Sequence, residues 1–297
     1  YPLADALPEV GSSMEVAPGV RWLRMRLPFA LDHINLWLLR DELEGVQGWT
    51  IVDCGIANEE TKAAWDQIFA TQLEGLPVLR VIVTHMHPDH VGLSQWLCEK
   101  WHAPLWISMT DYVTAQWLSH KEGGAAVGAR AGGGGSADHF QKHGLIATED
   151  LEKIRARSNY YSNMVPGVPR QYRRILDGEN ILIGGRSWQV MMGYGHAPEH
   201  ASLYCQEIGV LISGDMLLPR ISTNVSVYDA DPDADPLGLY LDSIQKYSVL
   251  PKDTLVLPSH GKPFQGMLPR IAQLKAHHDE RLAETLAACK KPAHARE

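Results

Sequence analysis

Residues 84–90 carry the densest group of potential metal ligands in this 297-residue chain. They read Thr-His-Met-His-Pro-Asp-His, so three imidazoles and one carboxylate lie close together: His85, His87, Asp89 and His90. Neutral imidazole nitrogens and carboxylate oxygens are ligands for a borderline-soft divalent metal such as zinc. The apolar run at 79–83 directly before them predicts a buried strand. The spacing therefore predicts a metal site where this strand ends.

Four further polar residues follow apolar, strand-like runs in the same way. They are Asp53, His196, Asp215 and His260. Ligand sites on sheet-based scaffolds commonly lie beyond the ends of strands. One such coincidence would mean little, but four of them predict that these residues share a rim with the 85–90 segment.

The elements that must position these residues alternate along the chain. Apolar runs predict strands at 20–27, 34–39, 50–52, 79–84, 104–107, 181–183, 188–192, 201–205, 210–213 and 254–257. Helical periodicity predicts helices at 58–70, 89–101, 149–157, 237–249 and 268–288. Because sheet and helix segments recur in both halves, we expect an α/β fold of two β-sheets packed face to face with helices outside. No linker separates the halves, so a single domain over 1–297 is predicted.

The segment from about 108 to 172 differs in character from the rest. Glycines at 123–124 and 132–135 predict a flexible tract that is not a regular element, with helical segments around it. We interpret the segment as a helical, glycine-rich insertion. It either covers the site or forms a surface excursion without a role in binding, and the sequence does not separate these two interpretations.

Composition limits the functional classes. The chain is 45% hydrophobic and 21% charged, as is usual for a globular enzyme, and its net charge is −8. The acidic balance argues against nucleic acid as a partner. The four cysteines lie far apart, and no apolar run has the length of a membrane span. A cytoplasmic protein with a small-molecule substrate and no membrane association is therefore expected, with no indication of its oligomeric state.

These motifs resemble those of the metallo-β-lactamase superfamily. The HxHxDH signature is intact as His85, His87, Asp89 and His90, and the later ligands of the family match His196, Asp215 and His260 in order. The resemblance covers nearly the whole chain and implies an αββα sandwich with two metals in a cleft at the sheet edges. It implies that one metal is held by His85, His87 and His196. It implies that the other is held by Asp89, His90 and His260.

The resemblance also implies roles for four carboxylate and imidazole groups around the metals. Asp215 would bridge the two ions, while Asp53 and His200 would support the ligands from behind without binding metal. Two metals can share a hydroxide, because metal binding lowers the pKa of water from about 15.7 towards roughly 7. That hydroxide would attack a carbonyl or phosphoryl group, with Asp89 as the catalytic residue that orients it. The metals are expected to be zinc, with iron or manganese as alternatives.

Departures from the patterns of individual branches limit which branch of the superfamily this chain resembles. Oxygen-reducing diiron members carry Glu where His87 stands, β-lactamases lack an aspartate like Asp215, and homoserine-lactone hydrolases carry a Tyr soon after it. Here Met-Leu-Leu follows at 216–218. A glyoxalase-II-like hydrolase is the nearest remaining branch, although no glutathione-binding cluster is visible. The C-terminal portion is similar to members that continue into a winged-helix module, which would be missing or trimmed here, as N-terminal residues before Tyr1 would be.

Three residues are candidates for substrate contact. His33 lies between the first two strands, while Arg220 and Asn224 follow Asp215. Each has a simpler interpretation as a surface residue. The sequence does not identify the substrate.

Four functions are consistent with these features. The first is a two-metal hydrolase of a thioester or other small ester. The second is a metal-dependent nuclease or phosphodiesterase, which the acidic charge disfavours. The third is an iron-dependent persulfide oxygenase that uses part of the ligand set. The fourth is a non-catalytic metal-binding module, which is disfavoured because no ligand of the family set is missing and a structural metal closes its coordination sphere with four protein ligands.

Overall fold

Two sheets form the centre of the fold. The computed structural model describes residues 1–120, 134–157 and 159–290. The first sheet has the order β1 (Met14–Ala17), β2 (Val20–Arg26), β3 (His33–Leu43), β4 (Val46–Val52), β5 (Val78–Ile82), β6 (Leu105–Ile107) and β7 (Tyr172–Arg174). The second has the order β12 (Leu255–Pro258), β11 (Val210–Gly214), β10 (His200–Cys205), β9 (Arg186–Gly193) and β8 (Asn180–Ile183).

Strand directions change within each sheet. Neighbours from β1 to β4 are antiparallel, whereas β4, β5, β6 and β7 run parallel. In the second sheet all neighbours are antiparallel except β11 and β12, which are parallel. Parallel neighbours end at the same edge of a sheet, so the residues after β4 and β5, and those after β11 and β12, come close together.

Helices lie outside the two sheets. They are α1 (Glu59–Thr71), α2 (Pro88–Val91), α3 (Ser94–Trp101), α4 (Met109–Ser119), α5 (Gly134–Lys142), α6 (Thr148–Arg155), α7 (Tyr160–Met164), α8 (Pro236–Gln245) and α9 (Met267–Ala288). A 3-10 turn, Lys246–Val249, extends α8. Among the described residues, each helix is too short or too polar to span a bilayer.

Side-chain alternation on the strands divides the core into three layers. Along β3, Leu36 and Leu38 face the helix side of the first sheet, whereas Trp37 and Leu39 face the second sheet. Trp37 stacks on Trp22 of β2 with ring centroids 6.4 Å apart. Because strand side chains alternate between the two faces, both apolar faces of this strand are buried.

The outer face of each sheet is covered by helices. Trp65 of α1 packs on the first sheet, and Ile244 of α8 and Ile271 of α9 pack on the second. The layer order is helix, sheet, sheet, helix. This arrangement confirms the α/β sandwich that the sequence predicts.

A buried ion pair joins the two sheets at one end of the sandwich. Arg80 Nη2 lies 2.6 Å from Asp41 Oδ2 and donates to the Leu182 carbonyl at 2.7 Å. The Gly184 N–H donates to Asp41 Oδ1 at 2.9 Å. Asp41 lies near the far end of β3, so this link fixes the sheets at the end opposite to His33.

The structure differs from the predicted elements in a few places. β1 and β7 were not predicted, and the predicted helix 89–101 is two helices. Its break has a packing cause: a Cβ on Gly92 would lie 2.7 Å from the Gly55 carbonyl oxygen, and the Leu93 N–H donates to that same oxygen. The glycine tract lies outside the described residues except at 134–135, which begin α5.

Candidate metal centre

The candidate ligands meet where the two sheets share an edge. His85 follows β5, while His196, Asp215 and His260 follow β9, β11 and β12. Two hydrogen bonds join the sheets here: the Ala201 N–H donates to the Thr84 carbonyl at 2.8 Å, and the Asn35 N–H donates to the Ser259 carbonyl at 2.7 Å. The structure therefore brings the four strand ends together at one edge of the sandwich.

One cluster consists of three imidazoles and a carboxylate. His85 Nε2 lies 2.9 Å from His87 Nδ1 and 3.1 Å from His196 Nε2. His87 Nδ1 lies 3.0 Å from His196 Nε2, and that atom lies 3.2 Å from Asp215 Oδ2. Four ligand atoms thus converge on one point, as four protein groups do around a tetrahedral zinc ion.

A second cluster lies on the other side of Asp215. His260 Nε2 is 3.4 Å from both Asp89 Oδ2 and Asp215 Oδ1. His90 Nε2 is 3.7 Å from Asp89 Oδ2 and 3.6 Å from Asp215 Oδ1. Since Asp215 presents one oxygen to each cluster, it is the residue that the two clusters share.

Backbone carbonyls fix the orientation of two of the histidines. His196 Nδ1 donates to the Asn224 carbonyl at 2.7 Å, and His260 Nδ1 donates to the His33 carbonyl at 2.8 Å. A histidine whose Nδ1 carries the donated proton presents the lone pair of Nε2 to the cluster. His87 differs from these histidines, because it presents Nδ1 and not Nε2 to the cluster.

Asp53 lies next to the centre and contacts His90 and Thr84. Its Oδ2 accepts from His90 Nδ1 at 2.8 Å, and its Oδ1 accepts from the Thr84 N–H at 2.8 Å. The Thr84 hydroxyl donates to Asp53 and lies 3.0 Å from His85 Nδ1. Asp53 has a left-handed backbone, with φ of 65°, and these contacts hold it there.

His200 contacts the centre without joining either cluster. Its ring stacks on His85 with centroids 4.7 Å apart, and its Nε2 accepts from the Asp215 N–H at 3.1 Å. Gly214 permits this contact, because a Cβ there would lie 2.3 Å from His200 Nε2 and the residue has φ of 53°. His200 thus binds the backbone of Asp215.

The two clusters differ in their electrostatics. Burial, together with the neighbouring His196, lowers the pKa of His87 to about 3, and burial lowers the pKa of His85 well below its ordinary value. Burial alone would also lower the pKa of His260, but the carboxylates of Asp215 and Asp89 raise it to about 10. His85 and His87 are therefore neutral imidazoles, the form that binds a metal, whereas the carboxylates around His260 favour a positive charge.

Two buried atoms at the centre support cation binding independently of any pKa. His90 Nε2 and Asp215 Oδ1 find no hydrogen-bond partner among the described residues, although they face each other across 3.6 Å. Unpaired buried polar atoms are costly, and a divalent cation between them would satisfy both. The residues present therefore fit two metal ions with nitrogen and oxygen ligands.

The three predicted substrate contacts have different surroundings. Both ring nitrogens of His33 are engaged within the protein: Nδ1 with Asp32 Oδ1 at 2.6 Å, and Nε2 with the Gly261 N–H at 2.8 Å. Arg220 is exposed, and its guanidinium lies 5.8 Å from the centroid of the Tyr1 ring. Asn224 is exposed in an open groove that Leu237 and His278 also line, and its carbonyl accepts from His196 Nδ1. Arg220 and Asn224 thus stay available to a ligand, whereas His33 positions His260.

Sequence reasoning missed two residues that contact the loop carrying His85 and His87. Asp111 of α4 accepts from the Met86 N–H at 2.8 Å, and the Tyr161 hydroxyl of α7 donates to the Met86 carbonyl at 2.5 Å. The only local signal was Ser108 three residues before Asp111, a spacing typical of a helix N-terminus. That pattern does not indicate a contact with residue 86.

Known proteins are similar to this chain in sequence and in fold. A β-lactamase domain protein from Burkholderia ambifaria is 55% identical, with a TM-score of 0.92, over 100% of this chain and 83% of that one. A probable metallo-hydrolase of Bacillus subtilis, YqjP, is 26% identical over 81% of this chain and 71% of its own length. The acyl-coenzyme A thioesterase MBLAC2 of Gallus gallus is 26% identical over 67% of this chain and 63% of its own length.

The family match spans the ligands described above. The model of the metallo-beta-lactamase superfamily matches residues 31–260, which run from the start of β3 to the last histidine of the second cluster. With the four-layer fold and the cluster of histidines and aspartates, this match leads to one conclusion: the chain belongs to the metallo-beta-lactamase superfamily.

Proposed function

We propose that this protein is a two-metal hydrolase of a thioester or other small ester. The observation that carries the proposal is the sharing of Asp215, with Oδ2 3.2 Å from His196 Nε2 and Oδ1 3.4 Å from His260 Nε2. A residue that faces two ligand clusters can hold two cations side by side. Each ion would have three residues of its own, and Asp215 would give one oxygen to each.

The two clusters would divide the metals between them. His85, His87 and His196 would hold one ion, Asp89, His90 and His260 the other, and Asp215 both. Bound metals supply activation of water and polarisation of the substrate oxygen. Zinc suits this nitrogen and oxygen donor set, with iron or manganese as alternatives.

Asp89 is the residue best placed to handle a proton. Its side chain is 19% exposed, against 10% for Asp215, so it is the centre's carboxylate that solvent and substrate reach most readily. Asp89 would orient the attacking water, accept its proton and return it to the leaving group. A thiolate leaving group requires little protonation, since the ordinary pKa of a thiol is about 8.5.

An aromatic rim beside Asp89 favours a substrate with an apolar part. Phe29 and Tyr160, which form this rim, are 39% and 48% exposed, and their ring centroids are 6.4 Å apart. Burial and the nearby Asp89 carboxylate raise the pKa of Tyr160, despite the opposing effect of Arg157. Helix α7, which carries Tyr160, contacts α2, which carries Asp89, so the rim lies close to the centre. An acyl thioester fits this arrangement, and a relative named as an acyl-coenzyme A thioesterase supports the same class.

A substrate panel tests the proposal. The protein, loaded with zinc, iron or manganese in turn, is assayed against acyl thioesters of increasing chain length, lactones, β-lactams, a phosphodiester and RNA. We expect thioester hydrolysis that depends on metal, with kcat/KM rising with acyl length. RNA cleavage would support a nuclease instead, and oxygen consumption by an iron-loaded form would support a persulfide oxygenase.

Matched variants test the rim. Phe29→Ala and Tyr160→Ala should lower kcat/KM for long-chain thioesters by roughly 10-fold, since fully burying an aliphatic or aromatic side chain is worth about 1.5–3 kcal/mol. Short-chain thioesters should be affected less. Leu182→Ala is the control, because Leu182 is 64% exposed at the opposite end of the sandwich. A rim variant with the same chain-length dependence as the wild type would contradict this assignment.

A further inference from the structure

The peptide group of Met86 is held on both sides by buried side chains. Its N–H donates to Asp111 Oδ1 at 2.8 Å, and its carbonyl accepts from the Tyr161 hydroxyl at 2.5 Å. Asp111 is fully buried and Tyr161 is 7% exposed. Met86 lies between His85 and His87, so these two contacts fix the backbone from which two ligands of the first cluster project.

The second oxygen of Asp111 reaches the other ligand loop. Asp111 Oδ2 accepts from the Glu199 N–H at 2.7 Å. Glu199 belongs to the turn between His196 and His200, on the second sheet. One carboxylate therefore bonds to the loop of His85 and His87 and also to the turn after His196.

A simple capping role does not account for these contacts. Ser108 and Asp111 have the spacing of an N-terminal cap on α4, and the Asp111 N–H lies 3.4 Å from Ser108 Oγ. Residues that cap a helix need not be buried, and burying a carboxylate costs free energy unless it is well paired. The two shorter bonds of Asp111, at 2.8 and 2.7 Å, go to the two loops.

We propose that Asp111 and Tyr161 are positioning residues that set the spacing of the first metal cluster by clamping the Met86 and Glu199 peptides. The clamp acts on the distances between the nitrogens of His85, His87 and His196 without touching a ligand atom. It also gives α4 and α7, which precede β7, a role at the centre. This inference rests on the proposed metal site.

The test compares zinc affinity and thermal stability in matched pairs of variants. Asp111→Asn leaves one acceptor oxygen for two peptide donors, and Tyr161→Phe removes one buried hydroxyl. Their controls are Asp41→Asn, at the ion pair that joins the far ends of the sheets, and Tyr247→Phe, whose hydroxyl bonds to Ser202. Zinc affinity is measured by competition with a chromophoric chelator, and Tm is measured in excess chelator.

The clamp and a merely structural role predict different results. If the clamp holds the ligands, Asp111→Asn should weaken zinc binding at one site by about 10–100-fold, the usual cost of losing a partner that supports metal ligands. Tyr161→Phe should weaken it several-fold. Asp41→Asn and Tyr247→Phe should lower Tm with zinc affinity within about twofold of the wild type.

Unchanged zinc affinity in folded Asp111→Asn and Tyr161→Phe would overturn the clamp while leaving the proposed function intact. If Asp111→Asn does not fold, Tyr161→Phe decides, since losing one hydroxyl bond costs only about 1 kcal/mol. A wild-type protein that binds none of zinc, iron and manganese would instead refute the proposed function.

Discussion

At the scale of single residues, the proposed two-metal arrangement depends on Asp215. In Asp215→Asn an amide nitrogen replaces one of the two oxygens that face the clusters, so only one cluster keeps an oxygen from residue 215. We expect metal content to fall from about two ions per chain to about one, with a rate loss beyond the roughly 100-fold cost of losing a supporting partner. Metal analysis and thioester hydrolysis measure these effects.

The control for this variant is Asp177→Asn. Asp177 accepts only from the Met192 N–H at 2.7 Å among its described contacts, away from the clusters. It should keep both metal content and rate. Asp215→Asn with an unchanged metal content would contradict the sharing of this residue.

Asp111 should make the free energy of unfolding of the metal-free protein depend on pH. Burial raises the pKa of its carboxyl to about 6, so between about pH 4 and pH 6 the folded state keeps a proton that the unfolded chain has lost. Its contribution to the free energy of unfolding therefore falls as pH rises through this window and is constant above it. The change is up to roughly 3 kcal/mol, at about 1.4 kcal/mol per pKa unit.

Urea unfolding between pH 4.5 and 7, in excess chelator, measures this contribution. The wild type should lose stability relative to Asp111→Asn as pH rises, because the amide does not titrate. A difference between the two proteins that is independent of pH would show that the pKa of Asp111 is close to its ordinary value.

The ligand types could be predicted from sequence, but their partners could not. His85 to His90 are adjacent in the chain and form a recognisable pattern. The groups that orient them, such as the Asn224 and His33 carbonyls, belong to distant segments. Any residue has a backbone carbonyl, so nothing in its side chain indicates this role.

At the scale of elements, the ends of helices and strands also depend on contacts with distant segments, which the local sequence does not show. The apolar residues at 188–192 predicted the centre of β9 (Arg186–Gly193), whereas the prediction at 34–39 covered only part of β3 (His33–Leu43), because polar residues follow at 40–42. The break between α2 and α3 depends instead on the approach of the Gly55 carbonyl, which belongs to another loop. β7 has only three residues and pairs with β6 through Arg173 and its neighbours, too short a run for periodicity to reveal.

Substitutions in the first half of helix α9 should lower the free energy of unfolding, whereas substitutions in its second half should leave it nearly unchanged. Leu274 is 2% exposed against the second sheet, whereas Leu282 on the same helix is 50% exposed. Leu274→Ala should lower the free energy of unfolding by about 2–5 kcal/mol, and Leu282→Ala should change it by less than about 0.5 kcal/mol. Urea denaturation of both variants measures the difference. Equal costs would mean that the distal half of the helix is packed in solution.

At the scale of the whole molecule, the sequence predicted the layers but not the order of strands. Two halves with alternating strands and helices require two sheets to bury their apolar faces. Strand order depends on which edges pair, and several orders satisfy the same pattern. The prediction that the polar residues after these strands share one rim did not need the strand order. It needed only that each of these residues directly follows a strand.

The origin of the ligands in both sheets has a consequence for unfolding. Four ligands follow β5 of the first sheet, and three follow strands of the second. A bound metal would therefore act as a reversible cross-link between distant parts of the chain, and closing a long loop limits the freedom of the unfolded state.

Metal removal measures the strength of this cross-link. An ion present at 100 times its Kd adds about 2.7 kcal/mol to the free energy of unfolding. For a chain of 297 residues, chelation should then lower Tm by roughly 4 °C per ion. Differential scanning calorimetry with and without chelator checks this, and an unchanged Tm would contradict metal binding across the sheets. The same ions proposed for hydrolysis would thus also keep the two halves of the sandwich from separating.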